Sequence, residues 1–252
     1  MKTLLSLFDY SGNWSAPFAE NGWDVIPWDI KIDKFMNIKD LSSADIVLEL
    51  FENVDGILAA VPCSDFSNSG AQYWKAKDED GRIKEAQALV DKTIQLIDLF
   101  RPTDPDYEGT FFWAIENPVG RLGKLYPELP KPFYFNPNDF AGWLNPSNQV
   151  LDRLDAIRLK DGIGLTQEEF SFVLQWNAYT KKTGLWGEFN KPELRHIPSV
   201  KGSPQGSPTQ RVGGNGDKTK ELRSFTPQGF AEAFCQANKD QVWVYSENPF
   251  YN

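Results

Sequence analysis

Two short stretches carry the residue types from which bond-making chemistry is built. Pro62-Cys63-Ser64-Asp65-Phe66-Ser67 follows the apolar run Gly56–Val61, and Glu116-Asn117-Pro118 follows Thr110–Ile115. Both runs read as buried strands, which sets a thiol and a carboxyl at the ends of two strands. In a doubly wound sheet, ligands bind beyond the carboxyl ends of the strands, so Cys63 and Glu116 face one cleft as nucleophile and proton donor. Taken singly, each has a plainer reading: a buried structural thiol, and a capping or surface carboxylate. Two further strand ends are distinctive. Tyr10-Ser11-Gly12-Asn13 makes a tight turn after Leu4–Phe8, ahead of a helix N-terminus that suits a polar or negatively charged ligand group. Asp29 closes a second strand, Asp24–Trp28, roughly 20 residues on, where a carboxylate accepts hydrogen bonds from a ribose.

The elements that must hold these ends alternate strand and helix through the first 120 residues. That order predicts an α/β fold with a doubly wound, mostly parallel sheet. A short helix is expected over Trp14–Glu20, and a weaker strand or turn within Asn37–Glu49. Ile83, Ala86, Val90, Ile94 and Ile97 recur at helical spacing, which makes Gly81–Phe100 a helix with an inward stripe. Leu151–Leu159 and Thr166–Trp176 look helical, and Thr166 with Glu169 fits a capping box. Lys191–Asp217 is dense in Pro, Gly and Ser and reads as loop, and Pro227–Ala237 is a final helix. The expected division is a main domain over 1–187 with an insertion at about 144–175, a short basic region over 188–222, and a C-terminal helical segment, 223–252, returning to the main domain.

Composition sets the outer limits. A chain of 252 residues, 40% hydrophobic and 14% aromatic, can bury one sizeable core, which excludes a disordered tail, a collagen-like chain or a disulfide scaffold. No stretch approaches the roughly 18 apolar residues of a membrane span, so no membrane partner is expected. Met1–Phe8 is too short for a signal peptide and reads as the first strand. Cys63 and Cys235 form no CxxC pair, and His196 is the sole histidine, so a Cys/His zinc site is excluded and no metal is expected. A reducing, cytoplasmic setting follows, with a monomer as the expected state. The net charge of −9 argues against a polyanion partner, but its distribution does not. Between Lys181 and Arg223 stand nine basic and four acidic residues, which leaves −14 on the rest of the chain. An acidic body with a basic segment suits a polyanion, and a solvated loop is the alternative. Trp74, Trp143, Trp176 and Trp186 either stack on bases or fill the core. His196 is expected to be exposed and Cys235 buried.

Taken together, the motifs resemble the carbon-5 cytosine methyltransferases, in order and over most of the chain. Phe8-Asp9-Tyr10-Ser11-Gly12 is similar to the family's Phe-x-Gly-x-Gly turn, with Tyr10 at the aromatic position, Gly12 at the first glycine and Trp14 where the second stands. Asp29, followed by Ile30, matches the ribose-binding acid. Asp45-Ile46 resembles the pair beside the adenine, with Asp40-Leu41 as the other alignment. Pro62-Cys63-Ser64-Asp65-Phe66-Ser67 resembles the nucleophile loop Pro-Pro-Cys-Gln-x-Phe-Ser, and Asp80-Gly81-Arg82 the Asp-x-Arg after it. Glu116-Asn117-Pro118 resembles Glu-Asn-Val, and Asp139–Gly142 with Tyr179–Thr183 stand near Asp-Tyr-Gly and Gln-x-Arg-x-Arg. Arg223-Ser224-Phe225-Thr226-Pro227 looks like Arg-x-x-Thr-Pro.

The resemblance implies a Rossmann-like methyltransferase fold and S-adenosyl-L-methionine as cofactor, held by Tyr10, Ser11, Gly12, Asn13, Trp14, Asp29, Ile30, Asp45, Ile46 and Pro62. It implies double-stranded DNA as partner, contacted through Ser64, Phe66, Ser67, Arg82, Asn117, Pro118, Arg223 and Thr226. Cys63 and Glu116 take the catalytic roles, with Lys181 or Lys182 standing for the family's arginine. The implied reaction methylates cytosine carbon 5 through a Cys63 adduct on a flipped-out base. The region between Trp186 and Arg223 is short where the family has a folded recognition domain, and Gln241–Asn252 has no counterpart of the C-terminal Gly-Asn motif. The compact form suits a phage or mobile element and a restriction-modification setting. The alternatives are action on RNA, a free nucleotide or a modified one-carbon donor, and a non-catalytic nucleic-acid-binding relative.

Overall fold

Leu4, Leu5 and Leu7 in the first strand are all fully buried, because both faces of the sheet are covered. The computed structural model describes residues 1–41, 44–51, 53–104, 106–144, 177–197 and 224–242, with backbone alone at 44–46. Its strands are β1 (Thr3–Leu7), β2 (Asp24–Trp28), β3 (Gly56–Ala59), β4 (Phe112–Pro118), β5 (Phe133–Phe135) and β6 (Thr183–Glu188). They form one sheet in the order β2-β1-β3-β4-β6-β5. The first four run parallel, and β6 lies antiparallel to both β4 and β5. The described helices are α1 (Ala16–Glu20), α2 (Ala44–Leu50), α3 (Trp74–Glu79), α4 (Arg82–Phe100), α5 (Leu122–Leu125) and α6 (Gln228–Asn238).

Alternation along the strands builds two cores. Leu5, Leu7, Ile57, Ala59, Trp113 and Ile115 meet Ile83, Ala86, Val90, Leu96 and Ile97 of α4 on one face. Leu4, Leu58, Phe112 and Ala114 meet Trp14, Phe18 of α1, and Phe230 and Phe234 of α6 on the other. Phe135 of β5 stacks on Phe230 with ring centres 4.2 Å apart, which fastens the far edge of the sheet to α6. The fold is therefore α/β, doubly wound and Rossmann-like, as the alternating pattern predicts. The helix expected over 81–100 and the final helix are both present.

Of the strand or turn expected within Asn37–Glu49, the described residues carry the turn, a 3-10 turn over Ile38–Asp40 ahead of α2. One expectation needs correction. The strand expected to end before Glu116 instead runs to Pro118, because β6 continues the ladder after β3 has stopped. Ile115 pairs with Ala59, the last residue of β3, whereas Glu116, Asn117 and Pro118 pair with Leu185, Gly184 and Thr183. Gly187 permits that approach, since a Cβ there would lie 2.0 Å from the Trp113 carbonyl oxygen. The helices expected over 151–159 and 166–176, the Thr166–Glu169 cap, Arg223, 198–222 and the tail beyond 242 lie outside the described residues. Residues 189–197 carry no helix or strand. Cys235 is fully buried and the His196 side chain is 57% exposed, both as expected.

At the far end of β6, Glu188 pairs with Arg101, which follows α4, and accepts the Trp113 Nε1–H at 3.0 Å. Both charged side chains are nearly buried, so removing one strands the other in a low dielectric. Glu188→Ala is expected to cost about 3–5 kcal/mol, read as a lower urea midpoint at unchanged slope.

Candidate active site

Cys63 sits in the turn that follows β3, and its position is fixed from the neighbouring strand. Its carbonyl accepts the amides of Phe66 at 3.1 Å and Ser67 at 2.9 Å, which closes the turn on itself. Asn117 of β4 donates Nδ2–H to the Val61 carbonyl at 3.0 Å. Beyond β4, the Arg121 amide donates to the Phe66 carbonyl at 2.8 Å and the Asn68 amide to that of Val119 at 3.0 Å. The two chains come so close that a Cβ on Gly120 would stand 1.8 Å from the Phe66 carbonyl oxygen. The thiol's loop and the carboxyl's strand are thus one rigid unit.

Glu116 opens into a small pocket that it shares with Phe135, Pro137, Lys181, Thr183 and Thr226. Burial pushes the Glu116 carboxyl up, against the opposing pull of Lys181. Burial likewise pushes the Cys63 thiol up, Lys181 pulls it down, and the Glu116 charge adds to the rise. Burial alone would lower Lys181, but Glu116, Tyr179 and Cys63 hold its ammonium above the ordinary range. Tyr179, 5% exposed, is raised by its own burial. One cation therefore serves a thiol, a carboxyl and a phenol. Such a group can deliver a nucleophile and a proton to the same small substrate.

The turn after β1 is built around a buried carboxylate. Asp9 accepts the Ser15 amide at 3.1 Å and the hydroxyls of Ser15 at 2.9 Å and Ser6 at 3.1 Å. Burial raises its carboxyl, and the Ser15 hydrogen bond works against that rise. Gly12 takes a left-handed backbone, φ 69°, with open space where a Cβ would stand. Tyr10 is 44% exposed, and Lys31 lies 5.3 Å from its ring, so the turns after β1 and β2 adjoin. Asp29, largely buried in the second turn, accepts the Lys31 amide at 2.8 Å, while Ile30 is exposed. Asn13 donates Nδ2–H to the Thr226 carbonyl at 3.5 Å, which ties the turn to the segment leading into α6. An open glycine turn beside a carboxylate is a donor and acceptor set of the kind that holds a nucleoside ligand.

The structure brings together Cys63, Glu116 and Lys181, and separately Tyr10–Asn13 with Asp29. It moves several expected residues elsewhere. The Trp14 indole is fully buried against Phe230 and Phe234, so it serves the core rather than a ligand. Phe66 is fully buried and anchors the nucleophile loop instead of touching substrate. Asn117 is likewise buried, spent on the Val61 carbonyl, and Pro118 is buried at the end of the ladder. Lys182 is exposed over the Tyr134 ring, 5.1 Å from its centre, so Lys181 alone of the two faces Glu116. Arg82 is more than half exposed and paired to Asp80 at 2.7 Å. Ser64 and Pro62 are exposed beside Cys63, and Ser67 is turned inward to bond the Ser69 amide. Trp186 is core, and the Trp143 Nε1–H donates to the Glu193 carbonyl at 2.8 Å. Trp176 and the side chains of Asp45 and Ile46 lie outside the described residues. Arg121 escaped sequence reasoning, since a lone arginine has no pattern around it, and Tyr179 entered only as the first residue of Tyr179–Thr183, with no role of its own.

No protein-family model and no curated protein sequence matches the chain. Among solved structures it is similar to a candidate DNA modification methyltransferase encoded within a prophage (E. coli), at 15% identity and a TM-score of 0.41. The likeness covers 80% of this chain and 53% of that one, so the chain spans about half the length of that protein. Among the described residues, no helix is long and apolar enough to cross a membrane, and no cluster of metal-ligating side chains occurs.

The electrostatics set a titration. Because burial raises the Cys63 thiol, its alkylation by iodoacetamide should reach half-maximal rate above the ordinary thiol range of about 8.5–9. Lys181→Met removes the cation that favours thiolate, so the midpoint should rise further and the rate at neutral pH should fall. A midpoint that moves down in this variant would contradict the assignment of Lys181.

Proposed function

We propose that the chain is an S-adenosylmethionine-dependent methyltransferase that methylates carbon 5 of cytosine in DNA. The observation that carries this reading is the Cys63, Glu116 and Lys181 cluster at adjoining strand ends, beside the open Tyr10–Asn13 turn. Cytosine carbon 5 is a poor nucleophile, and a thiolate added at carbon 6 makes it enamine-like. Cys63 would form that bond, and Lys181 would favour the thiolate that forms it. Glu116, its carboxyl raised by burial, would hold a proton against ring N3 and so draw electrons away from carbon 6. S-adenosylmethionine, when bound at Tyr10–Asn13 and Asp29, supplies the methyl group. Loss of the carbon-5 proton to a base then returns the electron pair to the ring, and the carbon–sulfur bond breaks to regenerate the Cys63 thiolate.

Reach sets the form of the substrate. The cluster lies in a cleft at the sheet's end, which a base stacked within a duplex cannot enter, so the base is flipped out. The basic stretch that begins at Lys181 gives the acidic chain a region suited to phosphate.

The test is a mechanism trap. With S-adenosylmethionine and duplex DNA carrying 5-fluorocytosine, the carbon-5 substituent cannot leave as a proton, so a complex that survives denaturation should accumulate. Cys63→Ser should form none, and Glu116→Gln should form it at least about a hundredfold more slowly. Absence of any complex with duplex, single-stranded or mononucleotide substrate would overturn the reading. A complex with mononucleotide alone would keep the chemistry and replace DNA as substrate.

A further inference from the structure

The segment after Cys63 is fastened by two cations that are themselves almost wholly buried. Arg121 and Lys77 are each 8% exposed, an unusual setting for groups that stay in water unless paired. Arg121 donates its Nε–H to the Asp65 carbonyl at 2.9 Å. Its Nη1 donates to both carboxylate oxygens of Asp78, at 2.7 and 3.0 Å, and its guanidinium lies over the Trp74 ring, 4.9 Å from the centre. Lys77 donates to the Ser64 carbonyl and pairs with the Asp65 carboxylate at 3.2 Å. Arg121 immediately precedes α5 and follows Glu116 by five residues. One side chain thus joins the strand that carries the carboxyl to both Asp65, beside the nucleophile, and Asp78, in α3.

We propose that Arg121 is the positioning residue of this site, holding the Cys63 thiol against Glu116 by clamping Asp65 and Asp78 to the end of β4. The role rests on the reading of Cys63 as nucleophile. The other ties to β4 lie to either side: the Arg121 and Asn68 amides bond the Phe66 and Val119 carbonyls, Phe66 is the buried apolar anchor, and Asn117 grips the loop's start at Val61. Pro62 and Ser64 are exposed on either side of the thiol. The guanidinium's planar fork is what allows one residue to serve a carbonyl, a carboxylate and an indole at once. The charged groups that act most on Cys63 are Lys181, Glu116 and Asp65, and Arg121 bonds the Asp65 carbonyl rather than the thiol. Its influence therefore passes through the position of the backbone. Without the clamp, water reaches the thiol and part of the burial that raises it is lost.

The experiment compares the full chain with Arg121→Met, Arg121→Lys and Asp78→Asn, each held well below its own melting temperature. Iodoacetamide labelling is mapped at Cys63 by peptide mass between pH 7 and 11, beside the 5-fluorocytosine trap and cofactor binding by calorimetry. Arg121→Met should lower the labelling midpoint by about one unit and speed labelling near neutrality about tenfold, since thiolate fraction scales that way. It should also slow trapping about tenfold or more, with cofactor affinity unchanged. Arg121→Lys should fall between, and Asp78→Asn should shift labelling in the same direction by a smaller factor. A thiol that is more reactive yet traps less is a signature that general destabilisation does not give. A folded Arg121→Met with unchanged midpoint and trapping overturns the proposal. If Arg121→Met does not fold, unchanged labelling in Asp78→Asn overturns it. If the parent chain traps nothing while labelling shifts as stated, the methyltransferase reading falls and the clamp stands.

Discussion

The site depends on one backbone ladder, the antiparallel pairing of β6 with β4. A buried strand end cannot leave its amides and carbonyls unpaired, and β3 stops at Ala59, level with Ile115. Three more residues of β4 find partners only because β6 runs past them. Glu116 is the first of the three. The same strand delivers Lys181 at its entry, where the Lys182 carbonyl accepts the Val119 amide at 3.0 Å. At its exit it delivers Glu188 to Arg101. Carboxyl, cation and structural ion pair thus hang on a single strand.

Within that frame the electrostatics are a contest between burial and one ammonium. Burial favours the neutral thiol and the neutral carboxyl, and Lys181 favours both anions. A unit charge about 4 Å away at an effective dielectric of 20 is worth about 4 kcal/mol, comparable to the penalty for desolvating an ion in a protein. Burial is the larger influence on both groups, which favours the neutral thiol and carboxyl, and Lys181 offsets part of the cost of ionising either. A chemistry that needs a thiolate and a protonated carboxyl together uses that offset. The Glu116 charge also raises the Cys63 thiol, so a proton on the first eases the loss of one from the second.

What the sequence reveals here follows from what kind of signal each feature leaves. Continuous apolar runs such as Leu4–Phe8 and Gly56–Val61, and the stripe from Ile83 to Ile97, are legible because burial on two faces or one stripe leaves a periodic or unbroken trace. Strand ends carrying Cys63, Glu116, Gly12 and Asp29 are legible for the same reason, since each follows such a run. β6 was hidden because Thr183-Gly184-Leu185-Trp186-Gly187-Glu188 carries two glycines, which weaken strand propensity but admit the Trp113 backbone. β5 is only three residues long. Motif position says what residue type stands at a site but not which way it points. Hence Phe66, Asn117 and Trp14 turned out to serve packing, and Lys181 rather than Lys182 faces the carboxyl. Arg121 is invisible for a different reason, because its partners Asp65 and Asp78 are 56 and 43 residues away in sequence.

The margins of the described sheet carry a consequence of their own. One margin is β2, whose Pro27 has no amide hydrogen to offer, and the other is β5, three residues beside the exposed Lys131. Open strand margins are templates on which a second chain can add and begin to aggregate. A strand interrupted by proline on one side and a strand too short to seed pairing on the other leave no such template. The most deeply buried strands, β1, β3 and β4, are confined to the interior of the sheet, each with both margins already paired.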